Sequence, residues 1–152
     1  MMLRLRSVLS LLLVVITTFL VSCSGPAAKV PDTYTPDRLA QIQLYATPVD
    51  QARQGMETLG QFVQENNWID TRTYIHGPLG FLRRDLTYLA NTLLPSDQKA
   101  AKNFIDEIFA HLERLDVAAQ NKNEAATSTE YNNAIADFDA FLDLIPSDSE
   151  AS

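Results

Sequence analysis

Two long segments of the sequence carry apolar side chains at alternating intervals of four and three residues. This spacing keeps all of these side chains on one side of an α-helix, because the mean interval lies close to the length of a helical turn. A helix of this kind is only marginally stable alone in water, so its apolar face must be buried against other helices. The two seams consist of Ile75, Leu79, Leu82, Leu86, Leu89 and Leu93, and of Ala101, Ile105, Ile108, Leu112, Leu115 and Ala119.

Less regular apolar stripes precede and follow these two seams, so that four helical segments are predicted in all. No segment alternates like a β-strand, and only five glycines occur in 152 residues, which disfavours a turn-rich β fold. We therefore expect an all-α domain over residues 36–146, folded as an antiparallel up-down-up-down four-helix bundle. The outer stripes are Leu39, Ile42, Ala46, Val49, Met56 and Val63, and Tyr131, Ile135, Phe138, Leu142 and Ile145, the second stripe with Ala134 and Phe141 alongside.

Two prolines lie inside the predicted helices. Proline lacks an amide N–H and crowds the carbonyl group four residues earlier. Pro48 is therefore expected to kink or break the first helix, and Pro78, which follows His76 and Gly77, to bend or restart the second.

Capping residues predict where the helices begin. Thr35 before Pro36 suits the first helix, and Asn67 suits the second. Pro95 should end the second segment, with Ser96 or Asp97 as the cap of the third. Thr127 to Glu130 fits the capping-box pattern at the start of the fourth.

The N-terminus has the layout of a secretory signal peptide. Arg4 and Arg6 precede an uncharged run from Val8 to Val21, which is shorter than a membrane-spanning helix requires. Cys23, the single cysteine, follows this run in a sequence that resembles the bacterial lipobox. That resemblance implies that Cys23 carries a lipid and becomes the new N-terminus. The alternatives are an incidental cysteine near a cleavage site and a reactive free thiol.

These features divide the chain into four parts. Residues 1–22 are expected to be a lipoprotein signal peptide and residues 23–35 a lipidated flexible tether, since the latter hold prolines and no apolar periodicity. The helical domain follows, and residues 147–152 are expected to be a disordered tail. Two acyl chains on Cys23 would suffice for stable attachment to a membrane.

The charge balance excludes nucleic acid as a partner. The whole chain has 12 basic and 19 acidic residues, a net charge of −7. Removal of residues 1–22 takes away Arg4 and Arg6 and no acid, which leaves 10 basic against 19 acidic residues, a net charge of −9. Such a chain is repelled by phosphate backbones and by anionic lipid headgroups, so that the membrane contact is expected to come from the lipid.

Few residues in the sequence are suited to catalysis or to metal binding. No glycine-rich phosphate loop is present, and no glutamate stands three residues before either histidine, as di-metal carboxylate bundles require. Glu107 and His111 are four residues apart and share a helical face, and His76 is the second histidine. These three residues could hold Zn²⁺ or Ca²⁺ weakly at the surface, whereas no tightly bound cofactor is expected. The alternative for His111 is a boundary histidine that covers the core and meets water.

Positive charge is concentrated on the second segment. Arg72, Arg83 and Arg84 lie there, while residues 124–152 hold seven acids and no lysine or arginine. One interpretation is a set of ordinary solvated faces. The other is that the three arginines dock the domain onto an acidic partner, because arginine is enriched at protein interfaces.

Several strings of the sequence resemble the PsbQ family, and in particular its cyanobacterial lipoprotein branch. They are WIDTRTYIHGPLGFLRRDLTYLANTLLP, IFAHLERLDVAAQNKN and YNNAIADFDAFLDLIP, in the order and spacing typical of the family. The lipobox at Cys23 also matches this branch, since the plant members carry transit peptides.

The resemblance implies a fold, a location and a function. The family consists of four-helix bundles that are extrinsic subunits of photosystem II, on the lumenal side of the thylakoid membrane. They are not catalysts, and they stabilise the oxygen-evolving complex and its retention of Ca²⁺ and Cl⁻. The implied partners are the lumenal core and extrinsic subunits of photosystem II. The competing hypothesis is a periplasmic-type lipoprotein that buffers or delivers Zn²⁺ or Cu²⁺ through His76, His111 and nearby acids.

Overall fold

The computed structural model describes residues 33–146, and within this range all regular structure is α-helical. The predicted fold class, all-α, is thereby confirmed. The signal segment, Cys23, most of the tether and the tail at 147–152 lie outside the described residues. Five helices follow one another: α1 Pro36–Gln64, α2 Trp68–His76, α3 Leu82–Thr92, α4 Pro95–Gln120 and α5 Glu124–Leu142.

Five helices replace the predicted four because the second segment is divided at Pro78. α2 ends at His76, and the amide N–H of Gly77 still donates to the carbonyl oxygen of Thr73 at 2.9 Å. Pro78 has no N–H with which to continue the pattern, and α3 begins only at Leu82. Of the two predicted outcomes, the restart is the one observed.

Pro48 has a different effect, because α1 runs without a break from Pro36 to Gln64. A proline inside a helix costs about 3 kcal/mol, and tertiary packing must offset that cost. The neighbouring side chains Ala46 and Val49 are both buried in the core. Burial on both sides of the proline keeps the helix continuous, so a break at this position is not observed.

The caps of α1 and α2 are those predicted. The amide N–H of Arg38 donates to the Thr35 hydroxyl at 3.3 Å, and that of Asp70 donates to the Asn67 side-chain oxygen at 3.2 Å. Each cap satisfies one of the amide groups that a helix leaves unpaired at its N-terminus. Pro36 occupies the first turn of α1, where its missing N–H costs nothing.

The predicted caps of α4 and α5 are wrong. α4 begins at Pro95 itself, so Ser96 and Asp97 lie inside its first turn. α5 begins at Glu124, one turn before the predicted capping box, with the Asn123 side chain accepting from the amide N–H of Ala126 at 3.1 Å. Asparagine is as good a cap as threonine, and the earlier cap lengthens the helix by one turn.

The core is formed by the apolar seams, as predicted from their spacing. The fully buried large side chains come from four of the helices and include Ile42, Met56, Leu86, Leu89, Ile108, Leu115 and Phe138. In α5 the buried face is centred on Ala134, Phe138 and Phe141, whereas the predicted stripe residues Tyr131 and Ile135 are only partly buried. The centre of the buried face of α5 therefore lies toward the predicted flanking residues Ala134 and Phe141.

Packing contacts join α1 to α2, α3 and α5, and they join α4 to α2, α3 and α5, the contact between α4 and α5 being the most extensive. Within residues 33–146 the structure contains no helix that combines the length and the apolar character needed to cross a membrane.

The start of α1 is hydrogen-bonded to the connection between α3 and α4. The guanidinium of Arg38 donates to the carbonyl oxygens of Thr92 at 2.6 Å and Leu93 at 2.8 Å. The Tyr34 hydroxyl accepts the amide N–H of Leu94 at 3.1 Å and donates to Asp97 at 2.7 Å. Burial is the main reason why the pKa of Tyr34 is raised to about 12.

Candidate docking surface and metal cluster

Arg83 and Arg84 are consecutive on α3, so their side chains point to different sides of the helix. The Arg83 guanidinium lies 4.1 Å from the ring centre of Phe109 on α4, and it approaches Asp106 at 3.4 Å. About half of the Arg83 side chain remains exposed. Arg83 therefore belongs to the surface between α3 and α4.

Arg84 lies against a different aromatic side chain. Its guanidinium is 4.7 Å from the ring centre of Phe81, and it is 2.9 Å from a carboxylate oxygen of Asp85. A cation over an aromatic face is held by the ring's negative face, which limits the motion of the arginine before any partner arrives. Arg84 thus presents a partly ordered cation beside an exposed ring.

Arg72 is separated from the other two arginines. Its guanidinium donates to Asp116 on α4 at 2.9 Å, and Nε2 of His76 lies 3.0 Å from the same carboxylate oxygen. Burial alone would raise the pKa of Asp116, but the hydrogen bonds from Arg72 and His76 outweigh it and hold the pKa below its usual value.

The distance between Arg72 and Arg83 can be judged from the positions of their acidic partners on α4. Asp116 is ten residues further along α4 than Asp106, the partner of Arg83. At 1.5 Å per residue this is about 15 Å along the helix axis. The structure thus brings His76 and Arg72 together, and it distributes the three predicted docking arginines over different surfaces.

The two helices α4 and α5 bring one histidine and two carboxylates together. Glu107 and His111 from α4 and Asp137 from α5 can each place one ligand atom within 4.8 Å of the other two. Nε2 of His111 is 3.3 Å from a carboxylate oxygen of Asp137. Zn²⁺ is bound by ligands of these types at about 2.0–2.2 Å in tetrahedral geometry, which places neighbouring ligand atoms about 3.4 Å apart. The distance between Nε2 of His111 and the Asp137 oxygen is close to this value.

The other ring nitrogen of His111 has a carboxylate partner of its own. Nδ1 lies 2.6 Å from Glu130 on α5, which also accepts from Nε of Arg114 at 2.9 Å. Burial opposes the charge of Glu130, but these hydrogen bonds hold its pKa below the usual value. A guanidinium nitrogen of Arg114 lies 2.7 Å from the same Nδ1, so that this ring nitrogen has both a carboxylate and a cation beside it. Nε2 faces Asp137, so a metal at this cluster would be bound through Nε2, with Glu130 as the partner of the other ring nitrogen.

Two of the three predicted metal ligands therefore lie in one cluster, and the third does not. Glu107 and His111 lie together, whereas His76 lies at the contact of α2 with α4, beside Asp116. Asp137 and Glu130 were not predicted from the sequence. They are seven residues apart and so share a face of α5, but only the packing of α5 against α4 shows that this face meets His111.

Comparison with known proteins identifies the family to which the chain belongs. Residues 4–146 match the family model PsbQ, described as oxygen evolving enhancer protein 3. The chain is 54% identical over 144 residues to CyanoQ of Synechocystis sp., an alignment that covers 94% of this chain and 97% of that protein. The resemblance identified from the sequence strings is confirmed, and the chain belongs to the PsbQ family.

Proposed function

We propose that this chain is a non-enzymatic extrinsic subunit of photosystem II, held at the lumenal side of the thylakoid membrane by a lipid on Cys23. In this role it stabilises the oxygen-evolving complex and slows the loss of Ca²⁺ and Cl⁻. The observation that carries the proposal is the match to the PsbQ family over nearly the whole chain, together with 54% identity to CyanoQ.

The fold that we propose for this role is an antiparallel up-down-up-down four-helix bundle, in which α2 and α3 together form one of the four rods. In a closed four-rod bundle each rod packs against two neighbours. The packing of α1 and of α4 against α5 on one side and against α2 and α3 on the other supports this arrangement.

The packing of the interior supports a role without catalysis. In residues 33–146 the buried side chains are almost all hydrocarbon, and the buried polar ones are Thr71, Thr92 and Thr127. A substrate would find no charged group in such an interior. The domain is therefore suited to act through its outer surface, by covering a site on another protein.

The lipid would make a weak surface contact sufficient. Attachment at Cys23 confines the domain to the plane of the membrane, which raises its effective concentration at any complex in the same membrane. A modest interface with the lumenal subunits of photosystem II then gives high occupancy. The covering domain would slow exchange of ions with the lumen.

The test is affinity purification of the tagged chain from solubilised thylakoid membranes, followed by identification of the proteins that accompany it. We expect subunits of photosystem II, and we expect Cys23→Ser to move the chain to the soluble fraction. Simultaneous charge reversal at Arg83 and Arg84 should release the chain from the photosystem while the lipid keeps it on the membrane. Unchanged co-purification of that variant would refute docking through the arginines of α3.

A second function is supported by the cluster of Glu107, His111 and Asp137. Under this alternative the protein buffers or delivers Zn²⁺ or Cu²⁺. Calorimetric titration of the chain with Zn²⁺ tests it: submicromolar affinity that is lost in His111→Ala but kept in His76→Ala would support a metal function. Weak binding that is the same in the two variants would argue against it.

A further inference from the structure

Large exposed apolar side chains are concentrated on one face of the domain. In residues 33–146, five such side chains are exposed, and three of them, Leu44, Phe81 and Tyr88, belong to α1, to α3 or to the turn before α3. Phe81 and Tyr88 are seven residues apart and share a face of the helix. The Tyr88 ring packs at 6.0 Å against Tyr45, the residue that follows Leu44 on α1.

A groove lies between α1 and the turn before α3, and Phe81 is part of its lining. Its volume is about 290 Å³, and it is lined by Pro48 and Gln51 of α1, by Pro78, and by Phe81 and Arg84. Pro48 is four residues after Leu44, and Arg84 is four residues before Tyr88, so the exposed side chains continue the groove along both helices. We call Leu44, Pro48, Phe81, Arg84 and Tyr88 the α1–α3 face.

The face combines apolar area with an exposed cation. The Arg84 side chain is 53% exposed, whereas its partner Asp85, which also lines the groove, is only 17% exposed, so the guanidinium is the more accessible member of this ion pair. The guanidinium is held over Phe81, and exposed aromatic rings and arginine are the residue types that dominate binding at protein interfaces. A carboxylate flanked by an aliphatic or aromatic side chain complements this surface.

The overall charge of the chain argues against a second copy as the partner. Without residues 1–22 each copy carries 10 basic and 19 acidic residues, a net charge of −9, so two copies repel each other at long range. The partner that fits is therefore a different protein. Arg83 takes no part in this face, because its guanidinium lies over Phe109 on the α4 side.

We infer that the α1–α3 face is the surface through which the chain docks, and that its partner offers an acidic segment with an apolar side chain that enters the groove. The inference rests on the proposed function, since it assigns the contact with photosystem II to one side of α3. The inference gives Arg84 a role in docking and gives none to the adjacent Arg83, although both carry the same charge.

Single variants of the full chain test this assignment in thylakoid membranes. Phe81→Ala and Arg84→Glu should each reduce co-purification with photosystem II by about tenfold, as expected for residues at the centre of an interface. Arg83→Glu makes the same change of charge one residue away and should stay within about twofold of the wild type. A thermal melt of each variant shows that the domain remains folded.

Photocrosslinking identifies the partner directly. A benzophenone amino acid at position 44 or 88 should crosslink to a photosystem II subunit, whereas the same group at the exposed residues Ile69 or Val117 should not. Crosslinks from 44 and 88 to a second copy of the chain or to lipid would overturn the inference, as would equal crosslinking from all four positions.

Failure of the inference can be distinguished from failure of the proposed function. If the wild-type chain purifies with photosystem II and the Phe81 and Arg84 variants do so equally well, only the α1–α3 face is wrong. If the wild-type chain itself does not purify with photosystem II, the proposed function fails and the docking inference fails with it.

Discussion

Truncation of Phe138 to alanine tests whether the facing seams hold the domain together. Phe138 lies on α5, and its side chain is completely buried in the core. The substitution removes an aromatic ring from a packed interior and leaves a cavity that its neighbours fill only in part. Core Phe→Ala substitutions cost about 3–5 kcal/mol, which is a large part of the roughly 5–15 kcal/mol that stabilises a domain.

The measurement is a thermal melt of the wild-type chain and the variant by circular dichroism at 222 nm. A domain of this length loses about 3–5 °C in Tm for each kcal/mol, so we expect Phe138→Ala to lower the Tm by about 10–20 °C. Urea titration at 25 °C should give the same loss as a lower midpoint with an unchanged slope.

The matched control is Phe81→Ala, which makes the same chemical change at a side chain that is 65% exposed. It removes the contact with the Arg84 guanidinium and little buried area, so the free energy of unfolding should fall by no more than about 1 kcal/mol. Equal Tm shifts for the two variants would refute the assignment of Phe138 to the core.

Three further substitutions test other contacts. Gly60→Ala should destabilise the domain by about 1–3 kcal/mol in urea titration although alanine favours helix, because the added methyl would lie 2.7 Å from Cζ of Tyr131. Asp116→Asn should lower the free energy of unfolding by about 1–2 kcal/mol at pH 7. The pKa of Asp116 is depressed in the fold, so this difference should be complete above about pH 5 and shrink as the pH falls below about 4. Tyr34→Phe should cost about 1–3 kcal/mol in a thermal melt and accelerate hydrogen exchange at the amide of Leu94, which loses its acceptor.

Each of these three has a control or a contrary outcome. Gly55→Ala places its methyl against only the terminal hydroxyl of Tyr74, which can move, so it should be tolerated better than the change at Gly60. A constant stability difference between pH 7 and pH 3 would contradict a role for the Asp116 carboxylate. Unchanged exchange at Leu94 would show that the Tyr34 hydroxyl does not protect this amide.

The seams were predictable because helical periodicity is a local property of the chain. A residue's position along α3 or α4 fixes which side it occupies, and the predicted seam from Leu79 to Leu93 is buried as expected. Pro48 and Pro78 show where local rules fail. The two prolines have the same intrinsic effect, yet only Pro78, which follows Gly77, interrupts a helix.

The surroundings of the candidate sites were less predictable, since they depend on which faces of different helices meet. The pair Glu107 and His111 follows from a spacing of four, but the approach of Asp137 requires the orientation of α5. For the same reason the sequence places Arg72, Arg83 and Arg84 in one predicted docking surface. In the structure Arg72 lies on α2 beside Asp116, whereas Arg84 lies on α3 beside Asp85, because the chain is interrupted between these two helices.

The attachment of Tyr34 and Arg38 to the connection between α3 and α4 has a mechanical consequence. Any force that a membrane anchor exerts on the chain enters the domain at its N-terminal end, just before Tyr34. Four hydrogen bonds resist this force together, since they join the first residues of the domain to Thr92, Leu93, Leu94 and Asp97. Under the proposed lipid attachment at Cys23, tension would thus be transmitted to the connection between α3 and α4 and would not act on the first turn of α1 alone.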